Sequence, residues 1–213
     1  SSAKRESGRF ALCGGTVDSS LKAQGKITIN YDGTTVCRGK TRTGSILLEF
    51  PIGKKWKDVG TTLKATFNAL KLTRVSDGKS IVLNGTKSIT NVNGGIIKDQ
   101  SAGQIIIHKI RGTLSITFDN GTSRNWTVAR KETFTLDASA VYQVKIEGDT
   151  SVNNTDQVVL FGTNRAGKEF RVAITTPIVA NSTCEFTDPI QGVKIHKGLE
   201  RELSVTFGVD NKG

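Results

Sequence analysis

Apolar and polar residues alternate along most of this chain with a period of two, the pattern of a strand that has one face in a core and one in water. The first clear instance is Ile27, Ile29 and Tyr31, with polar residues between them. The same alternation recurs as far as Phe207. An amphipathic helix would repeat every 3.6 residues instead, so the pattern predicts an all-β protein.

Short turns rich in glycine separate the predicted strands. The chain has 23 Gly and only 3 Pro, as expected where many tight turns join strands. Asn84-Gly85 and Asn120-Gly121 give the strongest hairpin signals, because both residue types tolerate a positive φ. We therefore predict an antiparallel meander of hairpins with about a dozen strands, forming a curved sheet or a β-sandwich, with a β-barrel as the alternative.

The segment 61–74 (TTLKATFNALKLTR) fits two kinds of structure. Leu63, Phe67 and Leu70 have helical spacing. Leu63, Ala65 and Phe67 also alternate as in a strand. The threonines of the segment and its β context favour a long strand with a bulge near Asn68, where the alternation slips by one residue.

The alternation also predicts the domain organisation. Residues 1–8 (SSAKRESG) are polar, basic and without a pattern, so they are predicted to form a flexible tether. Residues 9–213 are predicted to form a single all-β domain. The pattern pauses near 137–140, which is the candidate for a soft boundary. No apolar run approaches the roughly 20 residues that a membrane-spanning helix requires.

Three cysteines, Cys13, Cys37 and Cys184, match no zinc-binding spacing. In an exported protein Cys13 and Cys37 would most simply pair. The bridge would close a loop of roughly 24 residues, which chain entropy credits with about 3 kcal/mol. Cys184 would then be either a free buried thiol or the partner of a cysteine beyond Gly213.

The formal net charge of +11 favours partners that are polyanions, such as anionic lipid headgroups, lipopolysaccharide or acidic glycans. Lys and Arg are nevertheless spread along most of the chain, often at every second position of a predicted strand. That placement is typical of a solvated sheet face. Nucleic-acid binding would rest on charge alone, and we do not expect it.

Two basic clusters that contain tryptophan are the candidate ligand-binding surfaces. They are Lys54, Lys55, Trp56 and Lys57 in the first cluster, and Arg124, Trp126, Arg130 and Lys131 in the second. An indole ring within positive charge suits a sugar or a nucleotide. Alternation would put Arg124 and Trp126 on the same face of one strand. The competing interpretation is that both tryptophans fill the core while the basic residues stay solvated.

No motif predicts catalysis. The triplet Gly39-Lys40-Thr41 resembles the end of a P-loop, but Thr34 stands where that motif needs a glycine. His108 and His196 are isolated, and the chain has neither a G-x-S-x-G nor an H-E-x-x-H motif. The acidic residues are scattered, so nothing marks a carboxylate pair for glycoside cleavage. We expect no catalytic residue, cofactor or metal.

Several stretches carry motifs that recur together in one family. They are 13–16 (CGGT), 27–33 (ITINYDG) with Cys37, 39–44 (GKTRTG), 73–80 (TRVSDGKS), 84–92 (NGTKSITNV), 116–130 (ITFDNGTSRNWTVAR), 162–170 (GTNRAGKEF), 174–184 (ITTPIVANSTC) and 205–213 (VTFGVDNKG). In these stretches, which cover most of the chain from Cys13 onward, it resembles a family of uncharacterised lipoproteins of Bacteroidetes.

The resemblance implies a secreted precursor that is anchored through an acylated N-terminal cysteine outside this chain and that continues past Gly213 with further cysteines. We expect a non-catalytic structural or binding subunit of an outer-membrane assembly, on the periplasmic face or the cell surface. Its expected partner is an envelope protein, and its membrane contact is expected only through the lipid anchor. The alternatives are a surface glycan-binding module and a hydrolase with an unrecognised site.

Overall fold

The computed structural model describes residues 12–164, 166–184, 186, 188–198 and 202–208, without the side chain of Cys184. In this part of the chain thirteen strands form one antiparallel sheet, which confirms the all-β prediction. The predicted tether at 1–8 lies outside the described residues, as does the side chain of Cys184.

The strands are close to the predicted dozen in number. The first seven are β1 (Gly15–Asp18), β2 (Lys26–Asp32), β3 (Lys40–Glu49), β4 (Thr61–Arg74), β5 (Ser80–Asn91), β6 (Ile105–Phe118) and β7 (Ser123–Leu136). The other six are β8 (Tyr142–Gly148), β9 (Thr150–Val152), β10 (Thr155–Thr163), β11 (Glu169–Asn181), β12 (Gln191–Lys197) and β13 (Leu203–Phe207). The described helical segments are single 3-10 turns at Lys22–Gln24, Ile97–Asp99 and Ser182–Cys184.

Most neighbours in the sheet are also neighbours in the chain. Strands β1 to β7 pair in order, and the sheet continues through β10 to β13. The long strand β7 has two partners on its far side, because residues 126–128 pair with β10 and residues 130–136 pair with β8. Strand β8 also pairs with the end of β11, and the short β9 pairs with β10. The described strands therefore form one continuous hydrogen-bonded sheet.

Cross-strand pairing collects the alternating apolar side chains on one side of the sheet, which we call the apolar face. On β6, Ile106, Ile110 and Ile116 belong to this face and are at most 3% exposed. Between them, Lys109 and Arg111 lie on the opposite, polar face, as the period of two requires. The register of β5, β6 and β7 continues both faces across neighbouring strands.

The sheet bends toward its apolar face at glycine positions. A Cβ on Gly85 would lie 2.3 Å from the carbonyl oxygen of Thr113, and a Cβ on Gly112 would lie 2.4 Å from that of Thr86. At each of these two glycines, the hydrogen that stands in place of a Cβ points to the apolar side. The backbone of the neighbouring strand therefore bends toward that side. Equivalent close approaches occur at Gly44, Gly148, Gly162 and Gly192. The apolar face is therefore concave, which buries side chains without a second sheet.

The predicted hairpin at Asn84-Gly85 is wrong, because β5 runs through both residues without a turn. The sequence signal is strong because Asn and Gly accept unusual backbone geometry, and here that freedom serves a bend within a strand. Gly85 has φ of 128° at its close approach to β6. The hairpin predicted at Asn120-Gly121 is confirmed, since it joins β6 to β7.

Two predictions about local structure are confirmed. Residues 61–74 form the single strand β4, whose register shifts between Phe67 and Leu70, with Ala69 at a φ of 46°. Cys13 and Cys37 form a disulfide with a Cα–Cα distance of 6.0 Å, which ties the start of β1 to the connection between β2 and β3.

The proposed soft boundary at 137–140 is the turn between β7 and β8, which pair with each other. The single domain itself stays a prediction.

Candidate functional site

A cavity of about 390 Å³ opens on the concave apolar face, and we call it the cationic groove. Its apolar lining is Leu114, Trp126, Val128, Val159, Leu160 and Val172, and its basic lining is Lys87, Arg130, Lys194 and His196. The volume lies near the lower end of the roughly 300–1,000 Å³ that is typical of small-molecule pockets. The groove thus combines an apolar wall with a cluster of positive charge.

The register of the sheet explains why these residues meet. One row of directly opposed residues runs across six strands: Lys87, Gly112, Val128, Leu160, Val172 and His196. In a flat sheet the ends of this row would be about 24 Å apart, since strands are about 4.8 Å apart. The bend toward the apolar face lets both ends line one cavity. Gly112 has no side chain, which lets the backbone of Lys87 approach it closely.

Charge in the groove is only partly compensated. Arg130 makes an ion pair with Glu132 at 2.8 Å. Burial lowers the pKa of Lys87, and the nearby charge of Arg130 lowers it further, with Glu132 acting in the opposite direction. Burial followed by the charge of Lys194 also lowers the pKa of His196. A negative group in the groove would reverse the electrostatic part of both shifts.

The second predicted cluster lies partly at this groove. Trp126 and Arg130 line it, and the guanidinium of Arg124 lies 4.3 Å from the centre of the Trp126 ring. Arg124 and Trp126 share one face of β7, as alternation indicated, and Arg124 covers part of the indole. Lys131 lies on the polar face instead, 3.1 Å from Glu147.

The first predicted cluster lies elsewhere, in the connection between β3 and β4. Trp56 packs edge-on against Phe50, at 6.2 Å between ring centres, and against His108, at 5.1 Å. Its three basic neighbours Lys54, Lys55 and Lys57 are exposed. Asn91 anchors this loop, because its side-chain amide donates to the carbonyl oxygen of Trp56 at 2.9 Å. Trp56 therefore fixes the loop on the apolar face.

The structure does not bring the two tryptophan clusters together. Trp56 lies on His108, near the start of β6, whereas Trp126 lies opposite Leu114. Six residues of a strand separate those two β6 positions, which corresponds to about 20 Å. A ligand that contacts both rings would have to span that distance.

Sequence reasoning missed Lys87, Lys194 and His196 as groove residues. Alternation along its strand puts each of these residues on the apolar face. Lys87, for example, lies two residues from Gly85 and two from Ile89, which are both on that face. A basic residue at an apolar parity was therefore a signal for this site. The strand order that brings β5 and β12 to one cavity could not be predicted, because alternation within a strand does not show which strands are neighbours.

Other candidate sites offer less. A cavity of about 560 Å³ at the ends of the β4–β5 and β6–β7 hairpins is lined by Lys40, Arg74 and Lys79, but Arg74 is already paired with Asp77. No group of three or more His, Cys, Asp or Glu suited to hold a metal occurs among the described residues. No helix in the same residues is long and apolar enough to cross a bilayer.

The fold and the groove define a class of protein: a curled, single-sheet, all-β domain with a cationic apolar groove on its concave side. A scan against family models, a search of curated proteins and a search of solved structures found no match to this chain.

Proposed function

We propose that this chain is a non-catalytic binding domain of a bacterial cell envelope, of the lipoprotein type, and that it binds its partner or ligand through the concave apolar face. The observation that carries the proposal is the cationic groove. Its lining combines the three things that recognition uses, which are apolar area, an aromatic ring and positive charge.

The disulfide supports the proposed location. Cys13 and Cys37 are bonded, and disulfides persist in oxidising compartments such as the periplasm or the cell surface. The resemblance to lipoproteins of Bacteroidetes points to the same place. An outer-membrane lipoprotein that assembles with an envelope protein is therefore the setting that we propose.

The chemistry of the groove favours binding over hydrolysis. The hydrolase alternative calls for a cleft with two carboxylates of shifted pKa. The carboxylates whose pKa is lowered have structural surroundings instead. Asp18 accepts a hydrogen bond from the backbone N–H of Ser20, and Asp32 caps a turn through Thr35. Asp77 holds Arg74, and Glu147 lies between two lysines. In Glu147, burial opposes the lowering, and hydrogen bonds and charge from Lys131 and Lys145 outweigh it.

A glycan-binding module remains the second candidate, with Trp56 as its site. An exposed ring face is what a sugar stacks on. Trp56 is half-buried and its ring already contacts Phe50 and His108, so this geometry favours the groove instead. Glycan affinity that is lost in Trp56→Ala and kept in groove variants would reverse that preference.

Pull-down of the tagged full-length protein from its native membrane tests the proposed function. The variant Lys87→Ala/Lys194→Ala removes two charges from the groove. The matched control Lys64→Ala/Lys71→Ala removes two exposed charges from the polar face. We expect the envelope partner to be lost with the first variant and kept with the second. Equal recovery with both variants would contradict binding through the concave face.

A further inference from the structure

The basic groups of the cationic groove are recessed in an apolar wall. Lys87 is half-buried, and it lies opposite Gly112, with Val128 next in the row. Lys194 and His196 approach from β12 at the other end of the row. A cation held in this way is partly desolvated, which makes a matching anion more favourable there than on an exposed surface.

The two kinds of surface in the groove call for two parts in one ligand. A simple inorganic anion would satisfy Lys87 and Lys194 and leave Leu114, Val128 and Leu160 wet. A neutral apolar molecule would cover those side chains and leave the positive charge only partly compensated, by Glu132 beside Arg130. Only a molecule with a charged end and an apolar body satisfies both requirements.

We propose that the cationic groove binds an amphipathic anion, a molecule with a phosphate or carboxylate group and a single alkyl chain or ring. The anionic group contacts Lys87, Arg130 and Lys194, and the apolar part lies along Leu114, Val128 and Leu160. The inference rests on the proposed function, because it names the ligand class of the same concave face. The ligand enters as a single molecule, since a flat bilayer surface does not fit a concave face.

Isothermal titration calorimetry with three small probes tests the ligand class. Octyl phosphate has both parts, inorganic phosphate lacks the chain, and octyltrimethylammonium carries the opposite charge on the same chain. We expect octyl phosphate to bind at least about tenfold more tightly than either of the others. Equal affinity for the two octyl compounds would overturn the role of charge, and equal affinity for the two phosphates would overturn the role of the apolar wall.

Variants locate the binding. Lys87→Ala/Lys194→Ala is expected to weaken octyl phosphate binding about tenfold, and the control Lys64→Ala/Lys71→Ala to change it less than about twofold. Val128→Phe is expected to block the groove, whereas Thr127→Phe, on the opposite face of the same strand, should leave binding intact. Circular dichroism checks that each variant is folded. Unchanged binding in both groove variants would place the site elsewhere and overturn the inference.

The failure of this inference is separable from the failure of the proposed function. If the groove variants lose the envelope partner while no octyl compound binds, the face recognises a protein and the ligand class is wrong. If the protein binds vesicles of anionic lipid but not octyl phosphate, a membrane surface is recognised instead, and the inference again fails. If octyl phosphate binds as expected and the pull-down is unaffected, the inference stands and the partner contacts another surface.

Discussion

The side-chain oxygen Oδ1 of Asn84 accepts a hydrogen bond of 2.7 Å from the backbone N–H of Ala69. Ala69 is the residue with positive φ in the bulge of β4, where the ladder to β5 is interrupted. The amide of Asn84 thus replaces a backbone partner that the bulge removes. The Asn-Gly pair that resembles a hairpin turn in the sequence thus supplies a hydrogen-bond acceptor to the bulge of the neighbouring strand.

Replacing Asn84 tests that relationship. Asn84→Ala leaves the N–H of Ala69 without this acceptor, and we expect the free energy of unfolding to fall by about 1 kcal/mol. Asn84→Asp keeps an acceptor and should lose less. Asn125→Ala is the matched control, since Asn125 is also an exposed strand residue of the polar face. Urea denaturation of the three variants measures the difference, and equal losses at Asn84 and Asn125 would contradict the assigned role.

Removing the disulfide is expected to cost more. The bridge between Cys13 and Cys37 spans 24 residues, and a loop of that size corresponds to about 3 kcal/mol of stabilisation through the unfolded state. The variant Cys13→Ser/Cys37→Ser should therefore unfold at a lower urea concentration than the oxidised protein. A reductant should move the wild-type transition to the position of the variant and leave the variant unchanged. A wild-type transition that a reductant does not move would argue against a stabilising bridge.

Gly112 is predicted to tolerate no side chain. A Cβ at this position would lie 2.4 Å from the carbonyl oxygen of Thr86, so the neighbouring strand would have to move. We expect Gly112→Ala to lower the free energy of unfolding by about 2 kcal/mol or more. Gly53 is the comparison, because it has a φ of 77° but open space around it, and Gly53→Ala should cost only about 1 kcal/mol. Thermal denaturation that ranks Gly53→Ala as the more damaging change would contradict the bend assigned to Gly112.

Much of the fold could be predicted because the period of two is a local property. The alternation at Ile27, Ile29 and Tyr31 appears directly as a strand with these residues on the apolar face. The bulge near Asn68 could be predicted for the same reason, since a slip in parity is visible in the sequence. Asn84-Gly85 could not, because the same freedom of φ suits both a turn and a bend within a strand.

The candidate site could be predicted only in part. Trp126 and Arg130 stand out locally, as an aromatic residue near basic ones. Lys87 and His196 become their neighbours only through the strand order and the bend of the sheet, which depend on contacts far apart in sequence. The local signal of that arrangement was that each of these two basic residues stands at a strand position that alternation assigns to the apolar face. In all-β chains, a charged residue at a position that alternation assigns to the apolar face is therefore as useful a signal for a binding site as an exposed aromatic residue.

The buried His108 predicts a loss of stability in mild acid. The residue is 7% exposed, and its ring lies between Trp56 and Phe134. Burial lowers its pKa below the ordinary value of 6.5, so the folded protein binds a proton there less readily than the unfolded chain does. The resulting stability is fully present above pH 6.5 and is lost as the pH falls from there through the folded-state pKa. Glu132 lies opposite on β7, but Arg130 already engages it at 2.8 Å.

Urea denaturation at pH 7.5 and pH 5.5 measures this contribution. We expect the midpoint of the wild-type protein to fall on acidification, and the fall to be smaller in His108→Gln, because glutamine does not titrate. His196→Gln is the matched control. Burial also lowers the pKa of His196, but this histidine is only half-buried, so its removal should change the pH dependence less. Two outcomes would show that protonation of His108 does not limit stability in acid. In the first, the wild-type midpoint does not fall on acidification. In the second, His196→Gln reduces that fall more than His108→Gln does.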